Sequence, residues 1–192
     1  LTSHQPLAIF AHEADNAYNL CHHQHHPKRR EIMTRDERTA HINSYANAHT
    51  MLVYALKEMP KEAWQYKPTP KEWSIHEIIV HLTDADLNSS VRMRTFIAQP
   101  GHTIMAYEQD EWTKKLEYHK QSMEDSLEAF KYIRKLNGQI LKSLPDSVWS
   151  NTIQHPESGT MSFEKWLKIY DEHTVTHIGQ MKRNVEKWKA SK

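Results

Sequence analysis

Residues 74–98, SIHEIIVHLTDADLNSSVRMRTFIA, decide how this chain folds. Ser74 and Glu77 stand at the spacing of a capping box, in which a hydroxyl and a carboxylate satisfy the first free amides of a helix. Pro100-Gly101 ends the run, so a single helix is expected to about Ala98. At about 100° per residue, His81, Ala85, Asn88 and Arg92 share one stripe, with Asp84 at its edge. Ile78, Leu82 and Met93 flank the stripe on one side, and Val80, Leu87 and Val91 on the other. Thr83, Ser90 and Arg94 lie opposite and are expected to face solvent. A polar line between two apolar lines points into a bundle. Burying an imidazole, an amide and a guanidinium is costly unless each meets a partner, and a metal, a ligand or a wet cavity would supply one.

The rest of the chain fits the same plan. Thr34-Arg-Asp-Glu starts a first helix that runs to about Met59 before Pro60, with Ile42, Tyr45, Ala46, His49, Val53 and Leu56 on one face. Residues 60–70 form an extended connection held by Pro68 and Pro70. Residues 101–120 read as irregular. A third long helix spans about Ser122 to Leu144, residues 145–161 form another connection, and a last helix runs from near Ser162 to about Lys189. Four long amphipathic helices with two substantial connections predict an all-α four-helix bundle, an architecture that places ligand and metal sites on facing helices. The bundle is assigned to residues 33–192. Residues 1–32 hold Cys21, the run His22 to His26 and Lys28-Arg29-Arg30, with a possible helix from Leu7 to Leu20. They are expected to be an extension, either upstream sequence or an artificial addition, with Met33 as the natural start.

Composition excludes several classes. Lys+Arg 25 against Asp+Glu 24 leaves no basic excess for nucleic acid. A mean hydropathy of −0.81 and the absence of a long apolar run argue against a membrane helix. Leu7 to Phe10 is too short for a signal-peptide core, and a single cysteine fits a reducing cytoplasm, the expected location. Only 4 glycines favour long helices over turn-rich sheets.

Of the 15 histidines, His173 and His177 stand out. They continue the core-facing stripe of Trp166, Ile169 and Tyr170 on the last helix, whereas Lys165, Lys168, Glu172, Lys182 and Lys187 lie off it. Two imidazoles four apart on one face can share an ion, and His81 from a facing helix would complete a three-histidine set with open positions. An isolated histidine on an apolar face is ordinarily a satisfied core residue, and His49 is read that way. Asp84 is a candidate for orienting a ligand imidazole or taking a proton, against the plain reading of a surface aspartate near Arg92. Asn88 and Arg92 suit the carboxylate of a thiol cofactor or substrate, against a buried ion pair. Tyr107 and Trp112 are candidates to roof the pocket, and Gln180 to bond a ligand imidazole or fill the core. The run His22 to His26 suits opportunistic metal binding outside this site.

Taken with their order and spacing, Glu72-Trp-Ser-Ile-His-Glu-Ile-Ile-Val-His81-Leu-Thr-Asp84, Asn88, Val91-Arg92, Tyr107 to Trp112, His155-Pro156-Glu157 and Tyr170 to Gln180 resemble the DinB superfamily. They look most like its YfiT branch of metal-dependent hydrolases and bacillithiol S-transferases. The resemblance covers about residues 34–190. It implies a divalent metal, commonly nickel or zinc, on His81, His173 and His177, a small-molecule substrate, a low-molecular-weight thiol in the transferases, and a homodimer. Where the family often carries Asp-Ser-His before the asparagine, this chain has Asp84-Ala85-Asp86, and a histidine role there is lost. The chemistry expected is hydrolysis or thiol S-transfer. The competing reading is a non-catalytic, metal-stabilised bundle that binds a stress-related ligand.

Overall fold

The Thr34 hydroxyl accepts from the Glu37 amide, and the Glu37 carboxylate accepts from the Thr34 amide at 2.8 Å. This capping box starts α1 (Arg35–Lys57) where the sequence places it. A computed structural model describes residues 33–192. The expectations placed on residues 1–32, including the extension, Cys21, the Leu7 to Leu20 helix and the run His22 to His26, lie outside the described residues. A second capping box, Ser74 with Glu77, starts α2 (Ile75–Ala98). The other two long helices are α4 (Met123–Ser143) and α5 (Phe163–Ala190), each capped by the serine before it.

These four helices form the bundle, with α1 packed on α4 and α5, and α2 packed on the same two. Around the bundle the order is therefore α1, α4, α2, α5, and consecutive long helices α1 and α2 sit on a diagonal. Side-chain pairs give the directions. His81 meets His177 and Phe96 meets Phe163, so α2 and α5 are antiparallel. Thr83 bonds the Ser126 carbonyl and Asp86 pairs with Arg134, so α2 and α4 run parallel. Parallel neighbours need long connections.

Those connections hold more structure than the sequence reading expected. Residues 101–120 contain a short helix, α3 (Gln109–Lys115), and a 3-10 turn at Tyr118–Lys120. Residues 145–161 contain a 3-10 turn (Asp146–Ser150) and lead into an antiparallel hairpin of β1 (Thr152–His155) and β2 (Gly159–Ser162). Gly159, at φ 69°, supplies the left-handed residue that closes the hairpin. Strands of four residues are too short to show an alternating pattern. The hairpin extends to the segment after α2: Gly101 donates to the Thr152 carbonyl at 2.7 Å, Ile104 to the Gln154 carbonyl at 2.9 Å, and Gln154 back to the His102 carbonyl. This pins residues 101–104 and fixes where Tyr107 can sit.

The core has two apolar halves. One stacks Phe96, Trp149 and Phe163 above Trp166, and the other packs Leu52, Ile78, Leu82, Phe130 and Met181. Between them lies a polar layer that no sequence motif announced. Arg134 is fully buried, pairs with the equally buried Asp86 through both carboxylate oxygens, and donates to the Tyr45 and Tyr170 carbonyls and to Thr174. Its guanidinium lies 4.0 Å from the Tyr45 ring centroid.

The phase predicted for α2 is corrected by this packing. Thr83, expected to face solvent, is buried against α4, whereas Leu87 and Val91, expected to line the interior, are 50% and 66% exposed. The helix touches both α4 and α5, so its buried arc is centred on Leu82, Asp86, Ser89 and Met93. The stripe of His81 and Arg92 forms one border of that arc, on the α5 side. His49 is half-buried beside Lys131 and Glu128 of α4, away from the histidine cluster. Among the described residues no helix is long and apolar enough to cross a membrane.

Candidate metal centre

Two turns into α2, His81 is fully buried, and across from it α5 presents His173 and His177. The 4-residue spacing and the antiparallel packing bring ring nitrogens from all three within 4.8 Å of one another. Among the described residues this is the one such group of His, Cys, Asp or Glu side chains. Ring centroids stand 4.9 Å apart for His81 and His177, 5.4 Å for His81 and His173, and 4.6 Å for His173 and His177. Nε2 of His173 and Nε2 of His177 lie 3.0 Å apart.

The local partners set the protonation. Gln180, one turn beyond His177, places its Oε1 at 2.8 Å from His177 Nδ1. A neutral His177 then donates from Nδ1 and leaves its lone pair on Nε2, toward His173. Burial holds both His81 and His173 well below the ordinary histidine range, with the neighbouring imidazoles adding to the effect. Neutral imidazoles are Lewis bases. Among the described residues His81 has no hydrogen-bond partner at either ring nitrogen, although it is wholly buried. Two unpaired buried nitrogens are expensive as a structural choice. A cation satisfies one of them, so the donor set fits a divalent metal. Trp73, just before the Ser74 cap, packs its ring 4.5 Å from His81 and 6.3 Å from His177, closing that side. Trp73 has no role assigned by the sequence pattern. Its position ahead of the cap of the helix that carries His81 was the available signal.

The remaining predicted residues divide. Asp84 accepts from the Tyr118 hydroxyl at 2.6 Å, and the hydrogen bond that orients an imidazole comes from Gln180 instead. Burial raises the Asp84 carboxyl above the usual range, against the opposing Tyr118 bond. Asn88 turns back along its own helix to donate to the Asp84 carbonyl at 3.0 Å. Among the described residues Arg92 makes no ion pair: it donates to the Tyr170 hydroxyl at 3.1 Å and to the Met105 carbonyl at 2.9 Å. Tyr170 in turn packs edge-on against His173, with centroids 6.0 Å apart. Tyr107 and Trp112 pack together at 4.7 Å, and the Arg92 guanidinium lies 5.9 Å from the Tyr107 ring. A continuous line of contacts thus runs from His173 through Tyr170 and Arg92 to Tyr107 and Trp112.

With this geometry in place, comparison with known proteins identifies the class. Residues 44–181 match the DinB superfamily, and the chain belongs to that family. It is 28% identical over 109 residues to a protein of Oceanobacillus iheyensis and 24% identical over 111 residues to one of Halalkalibacterium halodurans, both provisionally named metal-dependent hydrolases. These matches take in 57% and 58% of this chain and 63% and 64% of the two relatives. Its fold is that of YfiT from Bacillus subtilis, described as "a probable metal-dependent hydrolase with an unusual four-helix bundle topology". The TM-score is 0.77 at 18% identity, covering 84% of this chain and 93% of that one.

Proposed function

We propose that this chain is a metal-dependent enzyme that holds one divalent cation on His81, His173 and His177 and acts on a small molecule. The observation that carries the reading is the convergence of three imidazoles from two helices, with buried His81 unpaired at both nitrogens among the described residues. Nickel and zinc suit such a donor set. When bound, the cation supplies Lewis acidity and lowers the pKa of a water or thiol on its open side. The chain's own residues do the rest. Gln180 holds the His177 tautomer, and Trp73 excludes water from the His81 side. Asp84, half-buried and held by the Tyr118 hydroxyl, is the carboxylate assigned to proton transfer. Arg92, Tyr107 and Trp112 line the substrate side.

The names of the relatives support hydrolysis, and the open side equally accommodates a low-molecular-weight thiol that attacks an electrophile. The expected homodimer belongs to the same proposal, as does a cytoplasmic location. Metal analysis of the purified chain tests the centre: one tightly held equivalent is expected, and His81→Ala loses it. Unchanged metal content in that variant rejects the three-histidine centre. The metal-loaded chain is then assayed with an electrophile plus a thiol, and with esters and amides. Thiol-dependent turnover identifies a transferase, and thiol-independent cleavage a hydrolase. Silence in both, with a metal-dependent rise in Tm, identifies the non-catalytic bundle.

A further inference from the structure

Beside the imidazole cluster, three side chains carry more donors than the fold uses. Arg92 spends Nη1 on the Tyr170 hydroxyl and Nη2 on the Met105 carbonyl, but its Nε is buried with no partner among the described residues. Tyr107 has a buried hydroxyl with no partner among the described residues. Tyr170 accepts from Arg92, which leaves its own O–H to give. Buried donors are ordinarily paired, and each left alone is costly. If Arg92 served only to staple residues 101–108 to the bundle, its two bonds would suffice and Tyr107 would be a phenylalanine at no loss.

The nearby acceptors do not fill this demand. Asn88 is folded onto its own helix, and Asp84 is engaged by Tyr118. Burial, with Tyr170 and Asp84 adding to it, holds the Tyr107 phenol far above its ordinary range, so it stays a neutral donor. Two neutral O–H groups around a guanidinium make a site for an oxygen anion, and the planar fork of arginine favours a carboxylate. We propose that Arg92, Tyr107 and Tyr170 form the carboxylate subsite of the substrate or co-substrate, so that this chain selects small molecules carrying a carboxylate beyond the reacting group. The inference rests on the metal reading only for where the reacting group lies. The segment from Gly101 to Met105, tied to the β1–β2 hairpin and to Arg92, covers the subsite. Entry of the ligand therefore displaces that cover.

Calorimetric titration of the zinc-loaded full chain tests this. The probes are mercaptocarboxylates with chains of one to five methylenes, each paired with the neutral mercaptoalcohol of equal length. A charge-assisted pair predicts that, at the best-fitting length, the carboxylate binds about tenfold or more tighter than the alcohol. Arg92→Gln removes that preference, Arg92→Lys restores part of it, and Tyr107→Phe lowers it by a factor of about three. Tyr107→Phe deletes a hydroxyl that bonds nothing among the described residues, so it decides the matter should the arginine variants fold poorly. Equal affinities in the unsubstituted chain, no binding of any probe, or a preference that survives both Arg92→Gln and Tyr107→Phe would each overturn the proposal. Zinc content of the same samples separates the two readings. A chain that holds no zinc yet keeps an Arg92-dependent preference for carboxylates supports the subsite and rejects the metal centre.

Discussion

The buried pair of Asp86 and Arg134 should show strong and unequal non-additivity. Asp86→Leu leaves Arg134 fully buried among the Tyr45 and Tyr170 carbonyls and Thr174, and a guanidinium cannot shed its charge. Stranding such a charge costs about 3–5 kcal/mol, and the upper end applies here. Arg134→Met strands a carboxyl instead. Burial already pushes Asp86 up to about 6 against the pull of the guanidinium, so without Arg134 it takes up a proton near neutral pH. That escape puts the cost near the lower end, about 3 kcal/mol. In the double variant no charge is stranded. The two carbonyls lie within helices and keep their backbone partners, so the loss should not exceed that of Arg134→Met alone. The double variant therefore falls short of the sum of the single costs by at least the cost of Asp86→Leu, about 5 kcal/mol, well beyond the ~0.5 kcal/mol scatter of independent sites. Urea unfolding followed by far-ultraviolet circular dichroism, with chelator present, measures all four proteins. The sign with pH adds a second check. A carboxyl whose folded pKa is raised stabilises while it is protonated, and that gain is lost as pH rises through the folded value. Arg134→Met is thus more stable, relative to the double variant, at pH 5 than at pH 8. Additive costs, or a pH trend of the other sign, would refute the reasoning.

Other expectations follow from single contacts. Gln180→Leu removes the acceptor that fixes the His177 tautomer, and metal affinity should fall by about 10-fold in competition with a chromogenic chelator. His81 is neutral in the folded chain and ordinary in the unfolded one, so its contribution is present above pH ~6.5 and lost below it, at up to ~1.4 kcal/mol per pH unit. In chelator, His81→Leu should therefore flatten the acid limb of the urea midpoint plotted against pH. A Cβ at Gly138 would stand 3.0 Å from the Ala46 Cβ where α4 crosses α1. Gly138→Ala should thus lower stability by about 1 kcal/mol despite its helix-propensity gain of similar size, and Ala46→Gly should rescue it. Saturating zinc, at about 100 times its Kd, should stabilise the chain by ~2.7 kcal/mol and raise Tm by several degrees, with no rise in a chain lacking His81.

What could be read in advance depended on how far the deciding interaction reaches along the chain. The capping boxes at Thr34 and Ser74 are complete within four residues, and both helices begin where they predict. The His173 and His177 pair is likewise local, and its phase on α5 follows from Trp166 and Tyr170, two turns and one turn earlier. His81 needed only the assumption that α2 faces α5. Asp86 and Arg134 are 48 residues apart, and nothing near either announces the other. The phase of α2 failed for a related reason: a helix wedged between two neighbours buries a wide arc, so a polar stripe can mark its border as readily as its centre. That border position is what the site requires. A stripe at the centre of the arc would be sealed like Asp86, whereas one at the edge carries His81 inward to the imidazole cluster and Arg92 outward to the cover formed by residues 101–108. The misplaced stripe and the location of the proposed substrate subsite therefore have one physical cause.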